Sequence, residues 1–463
     1  MKRENKRPNN DQAVLTISSL RNRLTQFASH ITPVTLIASL LIVESIVRLA
    51  NIMTSSAIKP FSIAVPDEKL QRLKQKLALA DFPNEIEGVE PWSQGPPVAD
   101  IKRLTSYWAN EFDWREIESK LNQFPQFVAP VEVDGFGNYN IHFVHQKSSV
   151  KNAIPLLFVH GWPGSFIEAT RVVSELTKAG GDDVPAFHVV APSLVDFGFS
   201  SKNTKKGFGI DQQAEALHKL MLALGYDEYV TQGGDLGCLV TRFLAIKYGK
   251  THIKAQHLSN TAPAEPTEAS FPELHAKCQS AGLSDGELAG LGRTQKFNTE
   301  GNGYYKKQAT KPQTVGYFMT DTPVGLLAWL YECLHDWVDG YQWTDEEILT
   351  WVSIYYFSKP GPAQSSFVYW AIEHHDGLGG NAFVASGQFA DVPVGVSRFP
   401  GDLILLPKLW NHTLGPVVFE REHEKGGHFA AWERPDAIVQ DLRDMFGRKG
   451  GAFGVVTGKT GFD

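Results

Sequence analysis

The run Gln232-Gly233-Gly234-Asp235-Leu236-Gly237 sets one acidic side chain among glycines, between a short apolar stretch and a helical one. Gly-x-x-x-Gly from 233 to 237 has the shape of a nucleophile elbow, a strained turn whose small neighbours push the central side chain outward. Serine at the centre would mean acyl transfer. Aspartate instead suits attack on a carbon bearing a leaving group, such as an epoxide or an alkyl halide. By itself the segment reads equally well as a glycine-rich turn whose Asp235 caps the next helix.

Three other segments bear on that choice. His160-Gly161-Trp162-Pro163-Gly164-Ser165 follows a continuous apolar run. A loop so placed donates a backbone N–H to an oxyanion hole, together with the N–H of the residue after the nucleophile. Here those donors are Trp162 and Leu236, although an ordinary Trp-Pro-Gly turn is the plain alternative. His428, between Gly427 and Phe429, suits general-base work because imidazole titrates near neutrality. Most of the chain's fifteen histidines have no such setting. Asp402 ends Phe399-Pro400-Gly401-Asp402, a turn that comes after the elbow and before His428. The order nucleophile, acid, histidine is that of a strand-end triad. Each segment has a bland reading, but their joint occurrence in this order is hard to obtain by chance.

Such a site needs a rigid sheet beneath it. Ile154 to Val159 (IPLLFV) is a continuous apolar run, the pattern of a strand buried on both faces. Further strands are expected at His188 to Ala191, Tyr229 to Thr231 and Ile253 to Leu258. Helices are expected at Phe166 to Leu176, Asp211 to Leu224 and Leu236 to Tyr248. This alternation implies a parallel sheet covered on both faces. It stops at 261, and residues 261–390 are helical and hold most of the thirteen tyrosines. Strand signals return at Pro393 to Ser397 and Val417 to Glu420, with a last helix at Pro435 to Phe446. The pattern is an α/β core carrying a helical lid. Upstream, Pro66 to Leu79, Val98 to Glu111 and Trp114 to Leu121 read as helices. Val131 to Val133 and Tyr139 to His145 read as strands about the turn 134–137.

The bulk properties agree with a globular chain of 463 residues, 42% hydrophobic and 21% charged. Its 44 Lys and Arg against 51 Asp and Glu leave a net charge of −7, which argues against a nucleic-acid partner. Cys238, Cys278 and Cys333 are too few and too scattered for a disulfide framework or a zinc cluster. Residues 1–58 differ from the rest. A basic leader (Lys2, Arg3, Lys6, Arg7, Arg21, Arg23) precedes the apolar run Ile31 to Val43, which is shorter than the roughly 20 residues that span a bilayer. Extension to Met53 takes in Glu44 and Arg48, one helical turn apart and able to pair. Residues 31–53 are thus either a marginal membrane anchor or interfacial helix, or part of a disordered tail.

The set HGWPGS (160–165), GGDLG (233–237), FPGD (399–402) and GGHFAA (426–431) resembles the microsomal-type epoxide hydrolases, including their fungal and juvenile-hormone relatives. FDWRE (112–116) and IHFVH (141–145) are similar to the N-terminal meander domain of that group, and the resemblance runs from about residue 60 to 460. It implies an α/β-hydrolase fold with a mainly parallel sheet, a helical lid insertion and an N-terminal meander. The boundaries it implies are a leader over 1–58, a meander over 59–150, core over 151–260 and 391–463, and a lid over 261–390. It implies an Asp235, Asp402 and His428 triad, no cofactor and no metal, an apolar epoxide and water as reactants, and two lid tyrosines. GYYKKQATKPQTVG places the first at Tyr304 and SSFVYW the second at Tyr369. Family members usually carry Trp after the nucleophile. Leu236 departs from this, leaving the backbone donor but altering the wall beside Asp235. The location implied is intracellular, at the endoplasmic-reticulum membrane if residues 31–53 anchor the chain and cytoplasmic if they do not. A homodimer is left open.

Two motifs are set aside. His374-His375-Asp376 are consecutive and do not face one point, and GVVTGKT (454–460) is one residue short of a phosphate-binding loop and follows no strand. Two rival functions remain open on the residues alone: a haloalkane or haloacid dehalogenase, and a non-catalytic, membrane-associated binding protein.

Overall fold

The computed structural model describes residues 58–181, 184–374 and 381–463; the segment 31–53, and His375 and Asp376 of the His-His-Asp run, lie outside them. The expected central strand IPLLFV is β4 (Ile154–Val159), buried at every position. Around it the described residues form a nine-stranded sheet from β1 (Lys59–Pro60), β2 (Gln126–Val133), β3 (Gly137–Gln146), β5 (Phe187–Pro192), β6 (Tyr229–Gly233), β7 (Ile253–Leu258), β8 (Val394–Arg398) and β9 (Val417–Glu422). The order is β1-β2-β3-β5-β4-β6-β7-β8-β9. From β5 to β9 neighbouring strands run parallel; β1, β2 and β3 extend the same sheet antiparallel through β5.

Strand β4 pairs with β5 on one side and β6 on the other. The chain thus leaves β4 and β6 in opposite directions across the sheet. In open α/β sheets the crevice beyond the strand ends at such a switch point is where ligands bind. The loops after β4 and β6 carry HGWPGS and Asp235.

Helices α1 (Asp67–Ala78), α2 (Val98–Asn110) and α3 (Trp114–Leu121) precede the sheet strands β2 and β3. Asp67 and Glu68 occupy the first turn of α1, and Leu73 and Leu77 bury its apolar face. The expected helix 166–176 is instead a 3₁₀ stretch, Phe166–Arg171, followed by the short α4 (Val173–Thr177). The β-branched Thr170, Val172 and Val173 crowd a helical backbone at this break. Helix α5 (Ile210–Ala223) packs on β2 and on α6 (Leu236–Tyr248).

Between β7 and β8 lies the insertion: α7 (Pro272–Ala281), α8 (Asp285–Lys296), α9 (Gly303–Thr310), α10 (Pro312–Asp321), α11 (Pro323–Asp336), α12 (Asp345–Tyr356), α13 (Phe367–Glu373) and α14 (Ala382–Ser386). Helix α9 packs on α13, while α1 and α2 pack on α11, and α2 and α3 on α12. The insertion is tied to the core through buried Arg242 of α6, whose guanidinium donates to the carbonyls of Ser386 (2.9 Å) and Gln388 (2.5 Å). Helices α15 (Ala430–Glu433) and α16 (Pro435–Phe446) close the chain. Among the described residues no helix is long and apolar enough to cross a membrane.

Candidate active site

Asp235 stands between β6 and α6 with φ 52° and ψ −126°. A non-glycine residue held there stores about 1–3 kcal/mol of backbone strain, a level that persists only where the surroundings enforce it. The enforcement is close packing: a Cβ on Gly237 would lie 2.0 Å from the carbonyl oxygen of Val159. Asp235 occupies the N-cap position of α6 but, among the described residues, makes no side-chain cap hydrogen bond. The capping reading is therefore excluded, and the carboxylate is turned into the crevice.

Asp235 Oδ1 accepts a hydrogen bond from the backbone N–H of Trp162 at 2.8 Å. Its Oδ2 lies 3.3 Å from His428 Nε2. That contact is short but misaligned, because Nε2 is buried and makes no well-directed hydrogen bond among the described residues. His428 Nδ1 is 2.8 Å from Asp402 Oδ1; a carboxylate only accepts, so Nδ1 carries the hydrogen. Leu236 is the first residue of α6, where backbone N–H groups have no partner within the helix. The three residues singled out as a triad are thus brought together, with Trp162 on the same carboxylate.

Asp402 is held from several sides. Leu403 N donates to its Oδ1 at 2.7 Å and Asn260 Nδ2 to its Oδ2 at 2.5 Å. Arg293 of α8 donates to the carbonyls of Asp402 (2.6 Å) and Gly401 (2.5 Å). Asn260 also accepts from Asp235 N, at 2.8 Å through Oδ1. One amide therefore spans the backbone of one aspartate and the carboxylate of the other. Motif reading does not find Asn260; the only signal is its position just past the end of β7.

Burial alone would depress the His428 imidazole, but hydrogen bonds and charge from Asp235 and Asp402 outweigh it and raise its pKa above the ordinary histidine value. Trp337 packs on the ring with centroids 5.1 Å apart, and its carbonyl accepts His428 N at 2.8 Å.

Tyr304 of α9 stacks on Trp162 (5.1 Å between centroids, 4° between planes), and Tyr369 of α13 meets the same indole edge-on at 5.7 Å. Both tyrosines, Asp235 and His428 line a pocket of about 420 Å³, walled also by Phe297 and Phe383. The Tyr369 hydroxyl is buried without a partner among the described residues. Burial, with Asp235 nearby, pushes both hydroxyls well above the usual tyrosine value, which keeps them protonated donors. Tyr305, adjacent in sequence, is instead hydrogen-bonded to Glu373. Glu168 also faces Asp235 and His428, in a second, smaller chamber. Sequence reading passes over it because a glutamate in a short helical stretch is ordinarily a surface residue. Among the described residues no cluster of ligating side chains could hold a metal ion.

Residues 58–169 match the family model described as epoxide hydrolase N terminus, and residues 154–305 match that of the alpha/beta hydrolase fold. Epoxide hydrolase 1 of Sus scrofa is 31% identical over 425 residues, 84% of this chain and 89% of the relative. The structure of Aspergillus niger epoxide hydrolase matches with a TM-score of 0.71 at 34% identity, covering 83% of this chain and 94% of that one. The crystal structure of juvenile hormone epoxide hydrolase from the silkworm Bombyx mori matches with a TM-score of 0.74 at 29% identity, over 83% and 93%. This kinship decides among the three functions left open by the residues: the chain belongs to the microsomal-type epoxide hydrolase family and is an epoxide hydrolase of α/β-hydrolase fold.

Proposed function

We propose that the chain opens epoxides to vicinal diols through a covalent ester on Asp235, with His428 and Asp402 driving its hydrolysis. The observation that carries this reading is the continuous chain Asp402–His428–Asp235, with the Trp162 N–H on the far oxygen of the same carboxylate. Tyr304 and Tyr369 donate hydrogen bonds to the epoxide oxygen as Asp235 attacks a ring carbon, the C–O bond breaks and the alkoxide takes the proton of one tyrosine hydroxyl, which water restores. Ester formation removes the Asp235 charge, one of the two influences that raise the His428 pKa. The ring is thereby released to act as a base in the second step.

Water then attacks the Asp235 carbonyl carbon and gives a proton to His428 Nε2. The oxyanion is held by the N–H groups of Trp162 and Leu236, each worth about 3 kcal/mol in comparable sites. Collapse expels the second diol oxygen, which recovers the proton, and Asp235 gives up the other water proton to solvent to return to a carboxylate. The large pocket, whose lining includes Leu239, Phe297, Phe383, Leu403 and Ile404, suits an apolar epoxide. Single turnover in heavy-oxygen water tests the route. Label should enter the Asp235 carboxylate first; label found only in the diol after one turnover would overturn it.

The insertion between β7 and β8 would serve as the lid that supplies the two tyrosines. Residues 31–53 would associate the chain with membranes, so that the whole chain sediments with vesicles and a version beginning at Lys59 does not. Equal sedimentation of the two refutes this.

A further inference from the structure

Asp235 and His428 each face two chambers. The larger is the tyrosine-walled pocket. The smaller, about 20 Å³, has Gly164, Glu168, Gln232 and Asn260 in its walls and no lid tyrosine. A void of that size takes one water, provided that two to four polar groups are there to hold it. The groups are present. Among the described residues His428 Nε2 is buried without an aligned partner, and so is Gln232 Oε1; the Glu168 carboxyl completes the set.

The local sequence makes room for that carboxyl. A Cβ on Gly164 would fall 1.8 Å from Glu168 Oε1, so only glycine at 164 lets the side chain fold back into the chamber. No Lys or Arg pairs with Glu168 among the described residues. Burial pushes it up to about 8, with Asp235 adding to the shift while His428 and backbone hydrogen bonds from Ser165 and Gly161 oppose it. An uncharged carboxyl can stand near Asp235 without repelling it, and can both donate and accept.

We infer that the small chamber is the hydrolytic-water site and that Glu168 is the residue that binds the attacking water. The inference rests on the covalent route proposed above. The alkyl group of the ester fills the large pocket while the water is held apart from it. The water oxygen bonds to the Asp235 carbonyl carbon, one proton passes to His428 Nε2, and the other stays on that oxygen, hydrogen-bonded to Glu168. The ester C–O bond then breaks, and the departing alcohol oxygen takes the proton back from His428.

The test separates the two half-reactions by rapid mixing and intact-protein mass. Glu168→Met, of similar volume but without an acceptor, should form the ester within about threefold of the wild-type rate and hydrolyse it at least about tenfold more slowly, the loss of one hydrogen bond to a reacting group. The ester should therefore accumulate. Glu168→Gln, which keeps an acceptor oxygen, should restore most of the hydrolysis rate. Hydrolysis by Glu168→Met at the wild-type rate, or equal slowing of both steps, overturns the inference. Absence of any ester in the wild type instead defeats the covalent route itself. Should Glu168→Met fail to fold, a high-resolution crystal structure of the wild type decides. An ordered water within hydrogen-bonding distance of both Glu168 and His428 Nε2 is expected, and a dry chamber overturns it.

Discussion

Gly161 and Asp235 are in such close contact that a methyl group on the glycine would lie 2.4 Å from the aspartate Cβ and 2.5 Å from its Oδ1. The loop after β4 and the elbow after β6 thus hold each other, and the Trp162 N–H reaches Oδ1 only because nothing stands between them.

Gly161→Ala should therefore slow ester formation by about a hundredfold, the order expected when a reacting group is displaced by roughly 1 Å. Overpacking should destabilise the fold by about 1–3 kcal/mol. Rapid-mixing kinetics and a thermal melt check the two effects separately. Alkylation at the wild-type rate would mean that the two loops can part without disturbing the carboxylate.

Asn260→Ala removes a bridge between the Asp235 backbone and the Asp402 carboxylate, leaving a buried acceptor and a buried donor unpaired. Stability should fall by about 1–3 kcal/mol. Turnover should fall by about tenfold or more, since His428 loses a fixed partner. Urea melts and steady-state kinetics on one preparation measure both. A variant with lowered stability and unchanged turnover would confine Asn260 to a structural role.

The raised pKa of His428 has a definite sign in stability. Its folded value lies above the unfolded one of about 6.5, so the pairing contributes stability that is fully present below about 6.5 and lost as pH rises through the folded value. Asp235→Asn removes one of the two raising partners. The stability gap between wild type and this variant should be widest near pH 6 and narrow in alkali. The ring resonances of His428 should titrate at lower pH in the variant. A gap independent of pH would show that Asp235 does not set the charge of the ring.

Tyr304→Phe and Tyr369→Phe each delete one hydroxyl from the large pocket while keeping the ring's contact with Trp162, stacked for Tyr304 and edge-on for Tyr369. Each should slow ester formation by about tenfold or more and leave ester hydrolysis nearly unchanged, the loss of one donor to developing charge. The double variant should form almost no ester. Equal slowing of hydrolysis would argue that the rings act through packing instead.

Much of this molecule is legible one segment at a time. The continuous apolar run of β4, the bounds of α6, β7 and α16, and the resumption of strands after 390 follow from short-range periodicity, which depends only on neighbouring residues. Asp235, Asp402 and His428 can be picked out because a parallel sheet delivers the ends of β6, β8 and β9 to one edge, so order along the chain becomes proximity in space. The break in the helix after 171 is also local, but β-branched crowding is a weaker signal than apolar spacing.

Other features are decided only by tertiary packing. Asn260 reaches Asp402 across 142 positions of sequence, and no pattern near either residue encodes that meeting. Composition does not tell Tyr304 and Tyr369 from the remaining lid tyrosines; the packing of α9 on α13 turns these two toward Trp162, whereas Tyr305 is taken by Glu373. Glu168 folds into the small chamber only because Gly164 leaves it space and the loop after β6 closes the chamber beside it. Periodicity and turn chemistry act over a few residues, whereas burial, and with it the charge state of His428 and Glu168, belongs to the assembled fold.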